Sequence, residues 1–509
     1  MLNSKTKMIC LFLTALFIIP IITSTSTIAN EPLTTDWDPL VDVNVTIDIL
    51  KIRAFDKFDK QIPTWEKIDR FSDPDFYVKI FINDEEFTSQ VWNDTKYIYN
   101  PDFSVTVNVP DDEEFVDIKI QLWDKNPGFD KLCDISTAFY DDGWQDCYDV
   151  ELTYSIKSAS WFGDDRVDVY GGRVDTSGYG RLNGCDDGTY YQRDFDAELY
   201  FNIYQNDYDG DGIPYWSEVN HHGTDPTIDN TGEDKDNDGV PIEWEHKWGH
   251  YMWYHWNHNQ WYHEWIYDDI EYDDHANLDP DRDALSNLEE YWTAQWGSDP
   301  YRKDVFLEFD QMQGNGDVTI QPYPDEAKEL LYTTFNRQNV VFHLDDGSMG
   351  GGETIPFGTD TTYDDLQEIY WNYFLHEDED LWRRGVFHYG VMIYKSEGVA
   401  GAAFGSNRFY ITYNGHEKKA REIFLERNMV YASALMHELG HTFDFWPIGG
   451  HDRDSFYPWQ PSWWKWRPYK SCMNYGYMYS SVDYSDGSRG KNDFDDWDRI
   501  DFYSFESGW

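Results

Sequence analysis

The segment "HELGHTFDFWPIGGHD", from His437 to Asp452, holds the residues with the clearest capacity for chemistry. His437 and His441 stand four residues apart, a spacing that puts two imidazoles on one face of a helix, in reach of one metal ion. Glu438, beside them, is placed to take a proton from a zinc-bound water. The chemistry implied is activation of a metal-bound water for attack. Two histidines cannot hold a catalytic zinc alone, so a third donor is required. The next donors downstream are His451 and Asp452, after "PIGG".

For the pair to act together the segment must be helical, and Met429, Ala432, Leu435, Met436 and Leu439 recur at helical spacing. Upstream, "DVFLEFDQM", "VVFHLDD", "GVFHYGVMIY" and "RFYITYN" read as strands, and "DEAKELLYTTFNRQ" as a helix. Residues 303–509 are therefore expected to form an α+β catalytic domain.

Further on, "SCMNY" places Met473 two residues before Tyr475. With the HExxH helix, this turn resembles the metzincin metalloproteases, in which a methionine turn lies beneath the zinc. The resemblance spans residues 304–509, and its specific motifs lie between Met436 and Tyr475. It implies a zinc endopeptidase with Glu438 as base and acid, and with Tyr475 as the tyrosine that in some members meets the transition-state oxyanion. Core packing is the alternative role for Tyr475. The family reads HExxHxxGxxH, or ends in Asp. Here Asp444 occupies the glycine position, and Pro447, which cannot bind zinc, occupies the third-ligand position. An insertion of about four residues would carry His451 to that place. Asp452 is the alternative; His451 is preferred because imidazole is the commoner zinc partner. The family's substrate-pairing edge strand would come from "GVAGAAFGSNRFYITYN".

A second kind of metal chemistry precedes this domain. "DYDGDGIPYWSE", "DKDNDGVPIEWE" and "DPDRDALSNLEE" each carry Asp at positions 1, 3 and 5 and Glu at 12. The donors are Asp207, Asp209, Asp211 and Glu218; Asp234, Asp236, Asp238 and Glu245; and Asp279, Asp281, Asp283 and Glu290. Calcium takes six to eight oxygens, and a tight loop that turns alternate carboxylates inward supplies them. Gly212 and Gly239 stand at the sharp turn of position 6, where Ala284 should strain the third loop. The three segments resemble the calcium repeats of thrombospondin type 3 and dockerin modules, and residues 202–302 are expected to form such a region. Between them, His246, His250, His255, His258 and His263 lie in a Trp- and Tyr-rich run, read as an aromatic helix or loop rather than a second metal site.

Residues 30–201 alternate apolar and polar side chains in "VDVNVTIDILKI", "DFYVKIFIN", "FSVTVNVP" and "VDIKIQLWD", the pattern of an antiparallel β-sandwich. "FSDPDFYVKIFIN" and "IKIQLWDKNPGFDKLCD" resemble the C-two (C2) domain, whose loop aspartates gather calcium. Matching positions are Asp69, Asp75, Asp124, Asn126 and Asp130, with Asn126 where the family has Asp. The resemblance implies peripheral lipid or surface contact; a bare sandwich with acidic loops is the alternative.

The chain has 509 residues, too many for one core, and a net charge of -56. That surplus argues against nucleic acid and suits bound cations or a salty medium. Residues 1–29 pair Lys5 and Lys7 with a short apolar run, the layout of a signal peptide, and no other stretch reads as a membrane span. Outside the cell, Cys133 could bridge to Cys147 or Cys185. The expected protein is multidomain, secreted or extracellular and open to cell-surface association: a calcium-stabilised zinc endopeptidase acting on protein or peptide substrates. A non-enzymatic, calcium-dependent surface binding protein with a degenerate zinc helix is the alternative.

Overall fold

Alternating side chains pack as expected where one face of a strand can be buried. The structure, a computed structural model, describes residues 42–55, 68, 72–136, 148–165, 178, 180–187, 195–255, 260–267, 275–396, 398–423 and 426–504. The signal segment, Asp69, Cys147 and His258 lie outside them. Asp36–Trp509 forms one compact unit.

Ten strands build the N-terminal sandwich: β1 (Val43–Ala54), β2 (Phe76–Ile82), β3 (Glu85–Thr88), β4 (Tyr97–Val109), β5 (Phe115–Asp124), β6 (Lys131–Cys133), β7 (Val150–Ser155), β8 (Ser160–Gly163), β9 (Arg181–Asn183) and β10 (Ala197–Gln205). One sheet runs β4-β1-β10-β9 and the other β3-β2-β5-β7-β8, with β6 on β5. Val45, Ile47, Ile80, Ile120, Leu122 and Leu199 are fully enclosed between them. Cys133 and Cys185 are buried free thiols, so the expected bridge between them is not formed; Cys185 Sγ instead donates to Asp196 Oδ2 at 3.4 Å.

The register of β1 shifts between Ile49 and Lys51 against both neighbouring strands. This bulge changes which face odd-numbered residues take. Ile47 and Ile49 point into the core, whereas Lys51 and Arg53 turn away from it and Ile52 and Ala54 turn in. Arg53, with its side chain fully enclosed, reaches Glu329 Oε2 at 2.7 Å and Thr333 Oγ1 at 3.2 Å on the Asp325–Asn336 helix.

The three acidic loops share one backbone. The position-6 N–H of Gly212, Gly239 and Ala284 donates to the first aspartate at 3.0, 3.1 and 3.1 Å. Each of these residues has positive φ, +87°, +102° and +78°. Ala284 thus holds the conformation that glycine adopts freely, as its position predicts. The histidine-rich run begins in a helix (Ile242–Gly249), as expected, but from His250 it departs from the helix or loop expected there: β11 (His250–His255) and β12 (Gln260–Trp265) form an antiparallel pair. The alternating aromatic rings give that run a period of two, and cross-strand pairs such as Trp253 with Tyr262, 4.9 Å apart, support it.

The last region is a sheet of β13 (Asp304–Met312), β14 (Val341–Asp345), β15 (Thr354–Ile355), β16 (Phe387–Ile393), β17 (Gly401–Ala403) and β18 (Arg408–Thr412). Its order is β14-β13-β16-β18-β17, parallel except for β17, with β15 beside β13. The Asp325–Asn336 and Arg427–Thr442 helices share its main core, where Leu331, Phe335, Leu435 and Leu439 meet β-strand residues Leu307 and Phe409. Among the described residues no helix is long and apolar enough to cross a membrane.

Candidate metal centre

Helical spacing puts His437 and His441 on one face of the Arg427–Thr442 helix, and both are brought to His451. One ring nitrogen from each lies within 4.8 Å of the others. His437 Nε2 and His451 Nε2 are 3.2 Å apart. The His441 ring stands at 86° and 83° to the other two, so the three imidazoles surround one point. Burial holds all three below the ordinary histidine pKa, His441 at about 3. They are therefore neutral and present lone pairs. His437 Nδ1–H donates to the Cys472 carbonyl at 2.8 Å, which leaves Nε2 free for a metal. Nitrogen donors in this number and arrangement fit zinc with an open fourth position.

The third imidazole arrives by a loop. Asp444 has φ +55° and Gly450 φ +74°, and the chain between them carries Pro447 past the helix end. A Cβ on Gly450 would lie 2.3 Å from Asn474 Oδ1, so the loop packs directly on the "SCMNY" turn. The Gly450 carbonyl accepts from Tyr475 N–H. Asp452 faces elsewhere: its Oδ1 accepts from Asp454 N–H at 2.9 Å and Ser455 Oγ–H at 3.1 Å. Beneath the pair, fully buried Met473 presses on the helix so closely that a Cβ on Gly440 would meet its Sδ at 2.5 Å.

Glu438 is 4% exposed, and burial pushes its carboxyl up to about 8. A Cβ on Gly401 would come within 2.5 Å of its Oε1, which places β17 directly against the helix. Among the described residues β17 pairs with β18 alone and ends the sheet. Between this edge and the histidines lies a cleft of about 760 Å³, with Ala402, Trp446 and Tyr475 on its walls. The half-buried Tyr475 ring sits 4.3 Å from that of His451.

Each acidic loop also gathers donors: Asp207 with Asp209 and Asp211, Asp234 with Asp236 and Asp238, and Asp279 with Asp281 and Asp283. The closing glutamates differ. Glu218 Oε2 and both carboxyl oxygens of the 1% exposed Glu290 are buried without a hydrogen-bond partner. Glu245 instead joins Asp238 and His275, a donor that sequence reading missed. Asp299 and Asp304, also missed, press their charge on the buried Glu290 and Asp281. Burial first, then like charge, raises Asp281, Asp283 and Glu290 well above the carboxylate range, Glu218 to about 8 and Asp211 to about 6. Carboxylate oxygens clustered this closely suit a hard divalent ion.

In the sandwich, Asp75, Asp124, Asn126 and Asp130 do lie at one end. Their oxygens are engaged internally: Asp124 with Asp75 N–H at 3.0 Å and Asn126 Nδ2 at 2.6 Å, Asp130 with Lys125 Nζ at 2.8 Å and Tyr77 O–H at 2.9 Å. In the histidine-rich run, His250 Nε2 meets His263 Nδ1 at 2.9 Å, His263 Nε2 meets Glu114 at 2.7 Å, and His246 Nδ1 meets His222 Nε2 at 2.9 Å.

No family model matches the chain, and no curated protein matches it. Solved structures similar to part of it include human GIVD cytosolic phospholipase A2 in complex with methyl gamma-linolenyl fluorophosphonate, at 13% identity and TM-score 0.18, covering 32% of this chain and 17% of that one. A C2 domain matches at 11% identity and TM-score 0.17, covering 32% and 97%. A C2 domain protein from Ramazzottius varieornatus matches at 10% and 0.18, covering 32% and 86%. The chain thus spans under a fifth of the phospholipase's length. TM-scores this low do not bear on the fold, and the sandwich rests on its own strand pairings.

Proposed function

We propose that this chain is a secreted, calcium-stabilised zinc endopeptidase of metzincin type. The carrying observation is the convergence of His437, His441 and His451, all neutral, beside buried Glu438 and below the free edge of β17. Zinc, when bound by the three imidazoles, supplies Lewis acidity toward water and the scissile carbonyl. Glu438 takes the proton of the attacking water and delivers it to the departing amine. Burial alone holds this carboxyl protonated at neutral pH, and a dication held by the neighbouring imidazoles would lower it so that the carboxylate can accept a proton. The edge of β17 pairs with an extended substrate backbone, and Gly401, Ala402 and Ala403 leave room for it. Tyr475, on the cleft wall, is the hydroxyl donor nearest in role to an oxyanion partner. Calcium in the acidic loops supports the region that joins the sandwich to β13, and the C2-like sandwich is assigned peripheral surface contact.

Zinc stoichiometry and casein cleavage test this, compared between the parent and Glu438→Gln. The parent should hold one zinc per chain and cleave casein; the variant should keep the zinc and lose cleavage. A parent without zinc, or a variant that still cleaves, overturns the proposal and leaves a calcium-dependent binding protein as the reading. Export is checked by the N-terminal sequence of the secreted chain.

A further inference from the structure

A second and larger cleft, of about 1160 Å³, opens between the outward face of the β4-β1-β10-β9 sheet, the acidic-loop region and the β14 side of the α/β sheet. It shares no lining residue with the cleft at the histidines. The β1 bulge turns Lys51 into it. Lys51 Nζ lies 4.5 Å from the Tyr200 ring centroid, and the Arg181 guanidinium lies 5.8 Å from the same ring. Lys247 Nζ lies 4.5 Å from the Trp248 ring. Three cations thus gather in one cleft of a chain whose net charge is -56.

None of the three forms a direct ion pair among the described residues, although Asp299, Asp304 and Glu198 act on Arg181 from farther away. Arg181 is 3% exposed, and its Nη2 is buried without a hydrogen-bond partner among the described residues. Lys51 and Lys247 have no ion-pair partner among the described residues. The carboxylates of the same walls have partners of their own: Glu243 accepts from Gly232 N–H at 3.0 Å and Asp299 from Tyr301 N–H at 3.1 Å. Asp325 and Asp346 hold Lys328 at 2.8 and 2.5 Å, and Glu329 holds Arg53 and Tyr99 at 2.7 Å. Burial, with Arg53 beside it, lowers Lys51 to about 8, a cost that a bound anion would remove. A buried guanidinium nitrogen without a hydrogen-bond acceptor is costly, and a bound anion would supply one.

The remaining walls describe that ligand. Tyr200, Trp248 and Trp296 present flat rings, on which the C–H faces of pyranoses can lie. Asn100, Asn202 and Gln295 add amides that both donate and accept, as neighbouring hydroxyls require. We propose that this cleft binds an acidic oligosaccharide, with Arg181 receiving a uronate carboxylate or sulfate group and Lys51 and Lys247 flanking it. The site does not depend on the hydrolytic reading of the histidine cleft.

Calorimetric titration of the full chain in calcium buffer tests it, with trigalacturonate, a heparin-derived tetrasaccharide, neutral maltotetraose and tetraglutamate as probes. At least one acidic oligosaccharide should bind, and which one distinguishes carboxylate from sulfate. Maltotetraose and tetraglutamate should bind at least about tenfold more weakly. Lys247→Gln, at an exposed position, and Lys51→Gln should each weaken binding about tenfold with unchanged circular dichroism, while Glu438→Gln binds as the parent does. Failure of both acidic sugars to bind, equal binding of the peptide or the neutral sugar, or full affinity in both lysine variants overturns the proposal.

Discussion

The Tyr475 N–H donates to the Gly450 carbonyl at 3.2 Å, tying the loop that carries His451 to the methionine turn. The same turn supplies the Cys472 carbonyl to His437 Nδ1 and the Met473 thioether to Gly440. One short segment thus supports the helix and positions the donor that follows it.

His451→Ala should release zinc, with a loss of affinity beyond the roughly 10–100-fold that removing a supporting contact costs. Asp452→Ala should keep it, because Asp452 caps the turn at Arg453–Ser455. Competition with a chromophoric chelator measures both. Loss of zinc in Asp452→Ala with retention in His451→Ala would exchange the two assignments.

Gly440→Ala drives a methyl group into Met473 Sδ and should cost about 1–3 kcal/mol by overpacking. Combining it with Met473→Ala should recover part of that loss. Denaturant unfolding of the four corners of this cycle reads the coupling, and simple additivity would show that the contact is not the cause.

Calcium removal should lower the melting temperature, and more so as pH rises. The folded values of Asp211 and Glu218, about 6 and 8, lie above those of the unfolded chain. The ion-free fold therefore holds its protons more tightly than the unfolded chain does. That contribution is full below about pH 4 and is lost as pH climbs through about 6 and then 8. Saturating calcium should flatten this slope between those limits, as measured by thermal scans with and without chelator.

Arg53→Met should destabilise the protein by about 3–5 kcal/mol, since Glu198, 1% exposed, and the more accessible Glu329 would lose their shared cation. Equilibrium unfolding measures this. A change under about 1 kcal/mol would mean that the pair is already solvated.

Local pattern was enough to find β1, β2, β4, β5, β13, β14, β16 and β18, the histidine helix and the three acidic loops, because each is specified by neighbours within a few turns. The spacing of His437 and His441 and the repeated Asp positions are properties of short chain segments, and they carried over directly. Four features depended on contacts between distant segments. His451 was separated from Asp452 only by the packing of Gly450 on Asn474. His275 and Asp304 joined the acidic loops through the folding of later elements against them. The histidine run from His250 onward became a strand pair because its rings found partners across the strands. Lys51 and Arg181, more than a hundred residues apart, met over Tyr200 because a bulge in β1 reversed the face of its last residues. Composition and spacing determine which groups a chain owns; which of them share a cavity, and which stay unpaired there, is decided by long-range packing alone.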